Sequence, residues 1–293
     1  TASKVKVATK EDLSLVYTPG VAEVCREIAA NPKSVYDYTF KSNSVAVVTD
    51  GSAVLGLGNI GAEASLPVME GKCVLFKELA DIDAFPICIK SQDEKEIINI
   101  VKNIASVFGG INLEDISAPR CFTIEEALLD IGIPVMHDDQ HGSAIVILAA
   151  LMNAAKAVNK NIEDLKIVIN GAGAAGTAVT KLLLCLGIDK NICTSVKEIV
   201  LCDSKGIIYD GRDDLNDFKK HLAKVTNKLK RQGTLKGALE GADAFIGVSK
   251  GNLLTANDIR LMNENSIVFA MANPVPEIMP DEARKVAAVV GTG

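Results

Sequence analysis

The 293-residue sequence contains no tryptophan, and aromatic residues make up only 4% of it. Platforms on which nucleic-acid bases stack are therefore not expected. Basic residues are not in excess either, because 31 Lys and Arg stand against 37 Asp and Glu, a net charge of −6. This balance disfavours nucleic-acid and anionic-membrane partners. The longest apolar run, Ala144–Met152, is far shorter than the roughly 20 residues that span a bilayer, and no signal-peptide pattern opens the chain. We expect a soluble, cytoplasmic protein that acts on small molecules.

Cysteine pairs are also lacking, since seven cysteines are scattered without any C-x-x-C pair. A dispersed, odd-numbered set within apolar segments is typical of buried free thiols in a reducing compartment. We therefore expect neither a disulfide framework nor a cysteine zinc site. The seven residues are Cys25, Cys73, Cys88, Cys121, Cys185, Cys193 and Cys202.

Short runs of β-branched residues alternate with longer helical patterns along the sequence. This alternation predicts an α/β fold in which helices cover parallel sheets. The predicted strands are Ser44–Thr49, Ala84–Lys90, Ile111–Ile116, Ile133–His137, Lys166–Asn170, Glu198–Asp203, Ala244–Ser249, Ile267–Met271 and Ala287–Gly291. The predicted helices include Val21–Ala29, Asp93–Phe108, Thr123–Asp130, Ser143–Val158, Ala174–Leu186 and Asp213–Val225.

A domain boundary is predicted at about residue 141, because the apolar helix that follows can link two lobes and a polar segment then leads into a new strand. The two domains would cover residues 1–141 and 142–293. The last predicted strand runs directly into the glycine-rich end Gly291–Gly293. Ligands of open α/β sheets lie beyond the carboxyl ends of strands. We therefore expect a C-terminally truncated chain.

The strongest local motif is a G-x-G-x-x-G pattern between a predicted strand and a predicted helix. In this context the first glycine permits a tight turn, the second lets a pyrophosphate approach the backbone, and the third lets the helix pack on the sheet. The phosphates would lie at the helix N-terminus. The pattern predicts a Rossmann-like, dinucleotide-binding second domain. Its residues are Gly171, Ala172, Gly173, Ala174, Ala175 and Gly176.

The next strand of this domain ends at Asp203. An acidic residue there can accept hydrogen bonds from the adenosine ribose hydroxyls, which favours NAD over NADP. Lys205, two residues on, can instead pair with a 2′-phosphate. The sequence therefore leaves the choice between NAD and NADP open.

A second G-x-G-x-x-G match, Gly56–Gly61, lacks this context, because the strand that follows it ends in Lys90 and not in an acidic residue. We interpret these glycines as residues of a tight turn or of a close backbone approach.

Two acidic pairs, Glu114-Asp115 and Asp138-Asp139, close neighbouring predicted strands. Consecutive parallel strands usually lie side by side, so four carboxylates could meet at one sheet edge. A divalent cation would offset their repulsion, and oxygen ligands suit Mg²⁺ or Mn²⁺. The alternative is two unrelated pairs of solvated acids or helix caps.

Histidines at positions 137 and 141 have the spacing of the H-E-x-x-H zinc motif. That motif requires both side chains on one helix face. Residues 134–136 are predicted as strand, so the imidazoles of His137 and His141 should point in different directions. We expect no zinc site here, and we expect His221 at the surface.

Three residues could supply proton transfer, and their sequence context does not choose between them. Tyr17 precedes an amphipathic helix, where packing is the commoner role. Lys72 and Lys77 lie in a partly apolar stretch. Burial near a cation would lower the pKa of either lysine and make it a usable base.

Taken together, the motifs resemble those of malic enzymes, in the compact form common in prokaryotes and some protists. They occur in the family's order and cover nearly the whole chain. The matching stretches are Tyr17–Ala22, Thr49–Gly51, Leu55–Gly61, Pro67–Lys72, Asn112–Ile116, His137–Gly142, Gly171–Gly176 and Ala272–Pro274.

The resemblance implies oxidative decarboxylation of L-malate to pyruvate and CO₂ with NAD or NADP and Mg²⁺ or Mn²⁺. It makes the first domain the substrate and metal domain. By matched position, Tyr17 would be the general acid and Lys72 the general base, ahead of Lys77. The implied metal ligands are Glu114, Asp115 and Asp139.

Three further roles come from the same resemblance. Asp138 would hold the lysine or the waters of the metal, and Ser249 and Asn273 would lie against the cofactor or substrate. Family members usually form dimers, so a homodimer is implied. Family members also continue past Gly293 into a segment that contacts malate. A malolactic reaction that releases lactate with retained NAD fits the same motifs, and a non-catalytic NAD-binding module is a further alternative.

Overall fold

Two parallel sheets organise the chain, each with helices packed against it. The computed structural model describes residue 3 and residues 5–189 and 191–293. The first sheet has the order β2-β1-β3-β4, and its pairings are parallel. Its strands are β1 (Ser44–Thr49), β2 (Asp83–Cys88), β3 (Gly110–Leu113) and β4 (Val135–His137).

The helices of this first half flank the sheet or precede it. Short 3₁₀ turns at Pro32–Ser34 and Phe40–Asn43 join the early elements. The helices are α1 (Lys10–Val16), α2 (Val21–Ala30), α3 (Val35–Tyr38), α4 (Gly61–Ala80), α5 (Glu94–Ile104), α6 (Arg120–Glu126) and α7 (Asp138–Ala157).

The second sheet has the order β10-β9-β8-β5-β6-β7 and is parallel except for the antiparallel pairing of β7 with β6. Its strands are β5 (Lys166–Asn170), β6 (Glu198–Asp203), β7 (Gly206–Ile207), β8 (Ala244–Gly247), β9 (Ile267–Ala270) and β10 (Val289–Thr292). The accompanying helices are α8 (Ala174–Leu183), α9 (Asp217–Val225), α10 (Leu235–Ala238), α11 (Ala256–Ile259) and α12 (Pro280–Ala283), with a 3₁₀ turn at Ile162–Asp164.

Each sheet has its own apolar core. One buried cluster is built around β1 and β3, and two others cover the two faces of the second sheet. The fully buried strands, such as Ala244–Gly247, are continuous apolar runs, as both-sided burial in a parallel sheet requires. The predicted two-domain α/β fold with a Rossmann-like second half is confirmed.

Several element boundaries differ from the predictions. Helix α7 begins at Asp138 and not near residue 143, so Asp138 and Asp139 form its first turn, where the helix dipole favours negative charge. The predicted domain boundary at residue 141 therefore falls within this helix. Helix α4 was not predicted, because Pro67 and Gly71 interrupt its pattern. Strand β7 was missed because it is only two residues long.

The expectation of uniformly buried, free cysteines is wrong. Cys185 and Cys193 form a disulfide with their Cα atoms 5.9 Å apart. The chain turns back after α8, and this brings residues eight positions apart together, which spacing alone does not reveal. Cys25 is exposed, while Cys121 and Cys202 are buried as expected. None of the helices in the described parts of the chain combines the length and apolar character needed to cross a bilayer.

Candidate active site

An acidic cluster forms where β3 and β4 end. The two strands pair with Leu113 opposite His137, so the residues that follow each strand meet at one edge. Ligand oxygens of Glu114, Asp115 and Asp139 all lie within 4.8 Å of one another. The structure thus brings together the three predicted metal ligands.

The electrostatics of this cluster fit a bound cation. Asp115 is only 4% exposed, and its Oδ2 is buried without a hydrogen-bond partner. Burial, and then the charges of Asp139 and Glu114, raise its pKa to about 7. Burial also raises the pKa of Glu114. A buried carboxylate oxygen without a donor, beside two further acids, is the donor set that a hard divalent cation such as Mg²⁺ or Mn²⁺ takes.

Lys72 reaches this cluster from helix α4. Its Nζ lies 2.7 Å from Asp138 Oδ2 and 3.0 Å from Glu114 Oε1. Burial alone would lower the pKa of Lys72, but the charges of Glu114 and Asp138 outweigh it and raise the pKa. The structure therefore places Lys72 and Asp138 together, as the resemblance implies.

Lys77, five residues further along α4, lies away from the cluster. Its Nζ pairs with Asp81 and Asp83, 2.5 and 3.2 Å away, and its side chain is half exposed. Lys72 is therefore the lysine that the fold directs to the acids.

Tyr17 follows α1, and it is 67% exposed. Among the described residues, no hydrogen bond joins its hydroxyl to Lys72 or to the acids. Its role as the general acid stays a prediction.

The two histidines do not share a site. His137 ends β4, is fully buried, and has its Nε2 3.2 Å from Asp139 Oδ2. His141 lies one turn into α7, where its Nε2 is 2.9 Å from Glu125 Oε1. The two imidazoles therefore have different carboxylate partners, Asp139 and Glu125.

The glycine motif of the second domain connects β5 to α8. Gly171 has a φ of 120°, which favours glycine, and a Cβ at Gly176 would overlap the carbonyl oxygen of Gly171. A cavity of about 770 Å³ opens over this turn, large enough for a dinucleotide. Its lining includes Gly171, Ala172, Gly173, Asp203 and Ser249. Ala174, Ala175 and Gly176 form the first turn of α8.

Asp203 lies at the edge of this cavity, but its carboxylate is already bonded. Oδ2 accepts hydrogen bonds from Arg212 and Lys219, and Oδ1 accepts one from the backbone N–H of Lys205. The Lys205 ammonium instead pairs with Asp214, 2.8 Å away. Sequence reasoning missed Arg212 and Lys219, because they come from a loop and a helix beyond the strand.

The cavity also connects the two domains. Ala118, Pro119 and Phe122 line it from the first domain, and the Phe122 ring lies 4.8 Å from that of Phe218 in α9. The first glycine motif approaches the second domain as well, since a Cβ at Gly56 would lie 3.5 Å from the Asn273 carbonyl oxygen. This agrees with the prediction of a close backbone approach.

A large cavity over the glycine turn of one α/β domain and a lysine–carboxylate cluster in the other are together typical of a nucleotide-dependent dehydrogenase. Family models agree with this class. The malic enzyme N-terminal domain matches residues 1–98, and the malic enzyme NAD binding domain matches residues 140–291. The chain belongs to the malic enzyme family.

Known proteins of this family resemble the chain throughout its length. The bifunctional malic/malolactic enzyme of Bacillus subtilis is 55% identical over 99% of the chain and 70% of its own length. The probable NADP-dependent malic enzyme of Rickettsia prowazekii is 52% identical over 98% of the chain but only 37% of its own length. The crystal structure of the NAD-dependent malic enzyme of Thermotoga maritima matches all of the chain and 77% of its own, with 52% identity and a TM-score of 0.94.

Proposed function

We propose that the chain catalyses oxidative decarboxylation of L-malate to pyruvate and CO₂, with NAD or NADP and with Mg²⁺ or Mn²⁺. The observation that carries this proposal is the position of Lys72, whose Nζ lies within 3.0 Å of Asp138 and of Glu114. Glu114 is also one of the three acids that suit a cation. Naming malate as the substrate also rests on membership of the malic enzyme family.

Lys72 is the proposed general base for the C2 hydroxyl of malate. Glu114 and Asp138 now hold it protonated by their charge. Neutralising Glu114 through a bound cation would remove the larger of the two electrostatic effects that raise the pKa of Lys72, and would favour the neutral amine that a base requires. The cation, held by Glu114, Asp115 and Asp139, would supply Lewis-acid stabilisation of negative charge on the substrate oxygen.

The second domain is proposed to hold the dinucleotide across the glycine turn, with Asp203, Ser249 and Asn273 along its length. Bound there, the nicotinamide would accept the hydride from C2. Tyr17 is proposed as the acid that delivers a proton to C3 of the product. Tyr17 is exposed, and closure of the segment that carries it, or contact with a second copy of the chain, would shield it from water when it acts.

A homodimer is proposed from the surface of the first two helices. Neither α1 nor α2 buries any residue, although α2 is amphipathic. Exposed apolar side chains on α1 include Leu13 and Leu15. Sedimentation equilibrium should give twice the chain mass, and a monomer at micromolar concentration would contradict this part of the proposal.

Matched lysine variants test the catalytic proposal. With L-malate, Mn²⁺ and either cofactor, Lys72→Ala should lower the rate of NAD(P)H formation by about 10²–10⁴-fold, the usual contribution of a general base. Dinucleotide affinity should change less than twofold, because Lys72 does not line the cavity over the glycine turn. Lys77→Ala, which removes an equivalent charge from the same helix, should leave the rate nearly unchanged. Equal rates for wild type and Lys72→Ala would place the base elsewhere.

A malolactic reaction is the second candidate, because one relative at 55% identity is named a bifunctional malic/malolactic enzyme. The two reactions differ in product. Pyruvate with stoichiometric reduced cofactor supports the malic reaction, whereas lactate without net reduction supports the malolactic one.

A further inference from the structure

Glu277 is a buried carboxylate outside the acidic cluster. It follows β9, is 0% exposed, and makes no ion pair with any cation of the described residues. Its Oε1 accepts a hydrogen bond from the backbone N–H of Ser249 at 3.0 Å, and its Oε2 accepts one from the backbone N–H of Ala272 at 3.1 Å. One side chain thus joins the segments that follow two different strands.

The main chain of Glu277 strengthens this connection. Its carbonyl oxygen accepts hydrogen bonds from the N–H groups of Leu253 and Leu254, at 2.8 and 3.0 Å. Gly247, the last residue of β8, makes room for the carboxylate, because a Cβ there would lie 2.5 and 2.6 Å from its oxygens. The sequence at position 247 is therefore matched to the side chain at position 277.

The joined segments lie on one side of the glycine turn. In the sheet order β10-β9-β8-β5-β6-β7, the strand that ends in Asp203 is on the other side of β5. A dinucleotide whose adenosine lies near Asp203 and whose pyrophosphate lies over the turn therefore extends its nicotinamide half over the ends of β8 and β9. Ser249 and Asn273 follow these two strands, and Ser249 lines the cavity.

We propose that Glu277 is a positioning residue that holds the Ser249 and Asn273 segments in register for the nicotinamide half of the cofactor. Asn170 adds to the same arrangement, since its Nδ2 donates a hydrogen bond to Ser249 Oγ at 2.7 Å. The inference rests on the proposed dinucleotide function, and it concerns only one half of that ligand.

The test compares two ligands that share the adenosine and pyrophosphate. ADP lacks the nicotinamide and its ribose, whereas NAD and NADP contain them. Glu277→Gln keeps the shape of the side chain but sets an NH₂ group against one of the two backbone donors, so one hydrogen bond is lost. The dinucleotide used is NAD or NADP, whichever binds the wild-type protein more tightly. By calorimetric titration, this variant should bind it about tenfold more weakly than the wild type does, the size expected for one unsatisfied donor. Its affinity for ADP should change less than twofold.

A matched control separates positioning from general stability. Asp243 is also a buried acid of this domain, at the opposite end of the sheet. Its Oδ2 accepts a hydrogen bond from the backbone N–H of Lys166 at 3.0 Å. Asp243→Asn should lower the melting temperature without changing the ratio of dinucleotide to ADP affinity. A ratio that is unchanged in Glu277→Gln, or changed equally in Asp243→Asn, would overturn the proposal.

Gly247→Ala provides an independent test if Glu277→Gln does not fold. The added methyl group displaces the carboxylate without altering residue 277, and it should weaken dinucleotide binding selectively in the same way. Loss of soluble protein in both variants would give Glu277 a folding role only and overturn the proposal. Wild-type protein that binds neither dinucleotide would instead contradict the proposed function.

Discussion

The ammonium of Lys219 lies 2.7 Å from Asp203 Oδ2, the same oxygen to which Arg212 donates a hydrogen bond. The other N–H groups of Arg212 donate hydrogen bonds to Asp214 and to two backbone carbonyl oxygens. Lys219 lines the cavity, and two of the three N–H groups of its ammonium remain to bind a ligand. The acid that favours NAD by sequence is therefore compensated by a cation that can bind a 2′-phosphate.

We predict that the chain binds NADPH as well as NADH. Lys219→Met should weaken NADPH binding about tenfold more than NADH binding, since it removes a phosphate donor and leaves Asp203 less neutralised. Titration of reduced-cofactor fluorescence measures both affinities. Lys220→Met is the control, because Lys220 pairs with Asp217 on the surface of the same helix. If Lys219→Met weakened NADPH and NADH binding equally, Lys219 would serve only to neutralise Asp203 and would not bind the 2′-phosphate.

The Asp203 carboxylate should make the free energy of unfolding depend on pH in the acid range. Burial would raise the pKa of Asp203, but hydrogen bonds from Arg212 and Lys219 outweigh it and lower the pKa to about 2. A lowered pKa in the folded state stabilises the protein above the unfolded pKa of about 4, and this stabilisation is lost as the pH falls towards 2.

Asp203→Asn should therefore lower the free energy of unfolding by about 2 kcal/mol at pH 7, and by progressively less below pH 4. Because the chain has no tryptophan, urea unfolding is best followed by circular dichroism. Asp217→Asn, which removes an exposed ion pair, should lower the free energy of unfolding by less than about 1 kcal/mol across this pH range. A constant difference between wild type and Asp203→Asn across pH 7 to 3 would contradict the assigned pKa.

Charge repulsion in the acidic cluster predicts opposite effects on stability and on metal binding. Asp115→Asn removes a buried charge that has two acidic neighbours. The metal-free protein should melt about 2–4 °C higher, the shift that 1 kcal/mol produces in a chain of this size. The rise in melting temperature that Mn²⁺ gives the wild type should be largely lost. Asp93→Asn, which keeps a helix cap at α5, should change neither value.

The disulfide predicts a defined thiol count. Alkylation of denatured, non-reduced protein should modify five cysteines, and alkylation after reduction should modify all seven. Cys193→Ser should cost about 2–3 kcal/mol of stability, as expected for the loss of a cross-link that closes a short loop. Cys25→Ser, at an exposed free thiol, is the control. Seven reactive thiols without reductant would show that the two residues are not bonded.

Local patterns determined the architecture and part of the site. The alternation of strands and helices gave the α/β class, since apolar periodicity reports which face of each element is buried. The strand–glycine–helix context of Gly171–Gly176 predicted the glycine turn over which the cavity opens, because its three glycines act within a few residues of one another. Both acidic pairs were recognised, although the start of α7 at Asp138 was not.

Only the tertiary structure decided the partners of these residues. Sequence context does not choose between Lys72 and Lys77, and the packing of α4 directs the first to Glu114 and the second to Asp81 and Asp83. Arg212 and Lys219 reach Asp203, and Glu277 reaches Ser249, across sequence separations that no local pattern records. Sequence periodicity sets which side of an element faces inwards, but the meeting of side chains from different elements depends on how those elements pack.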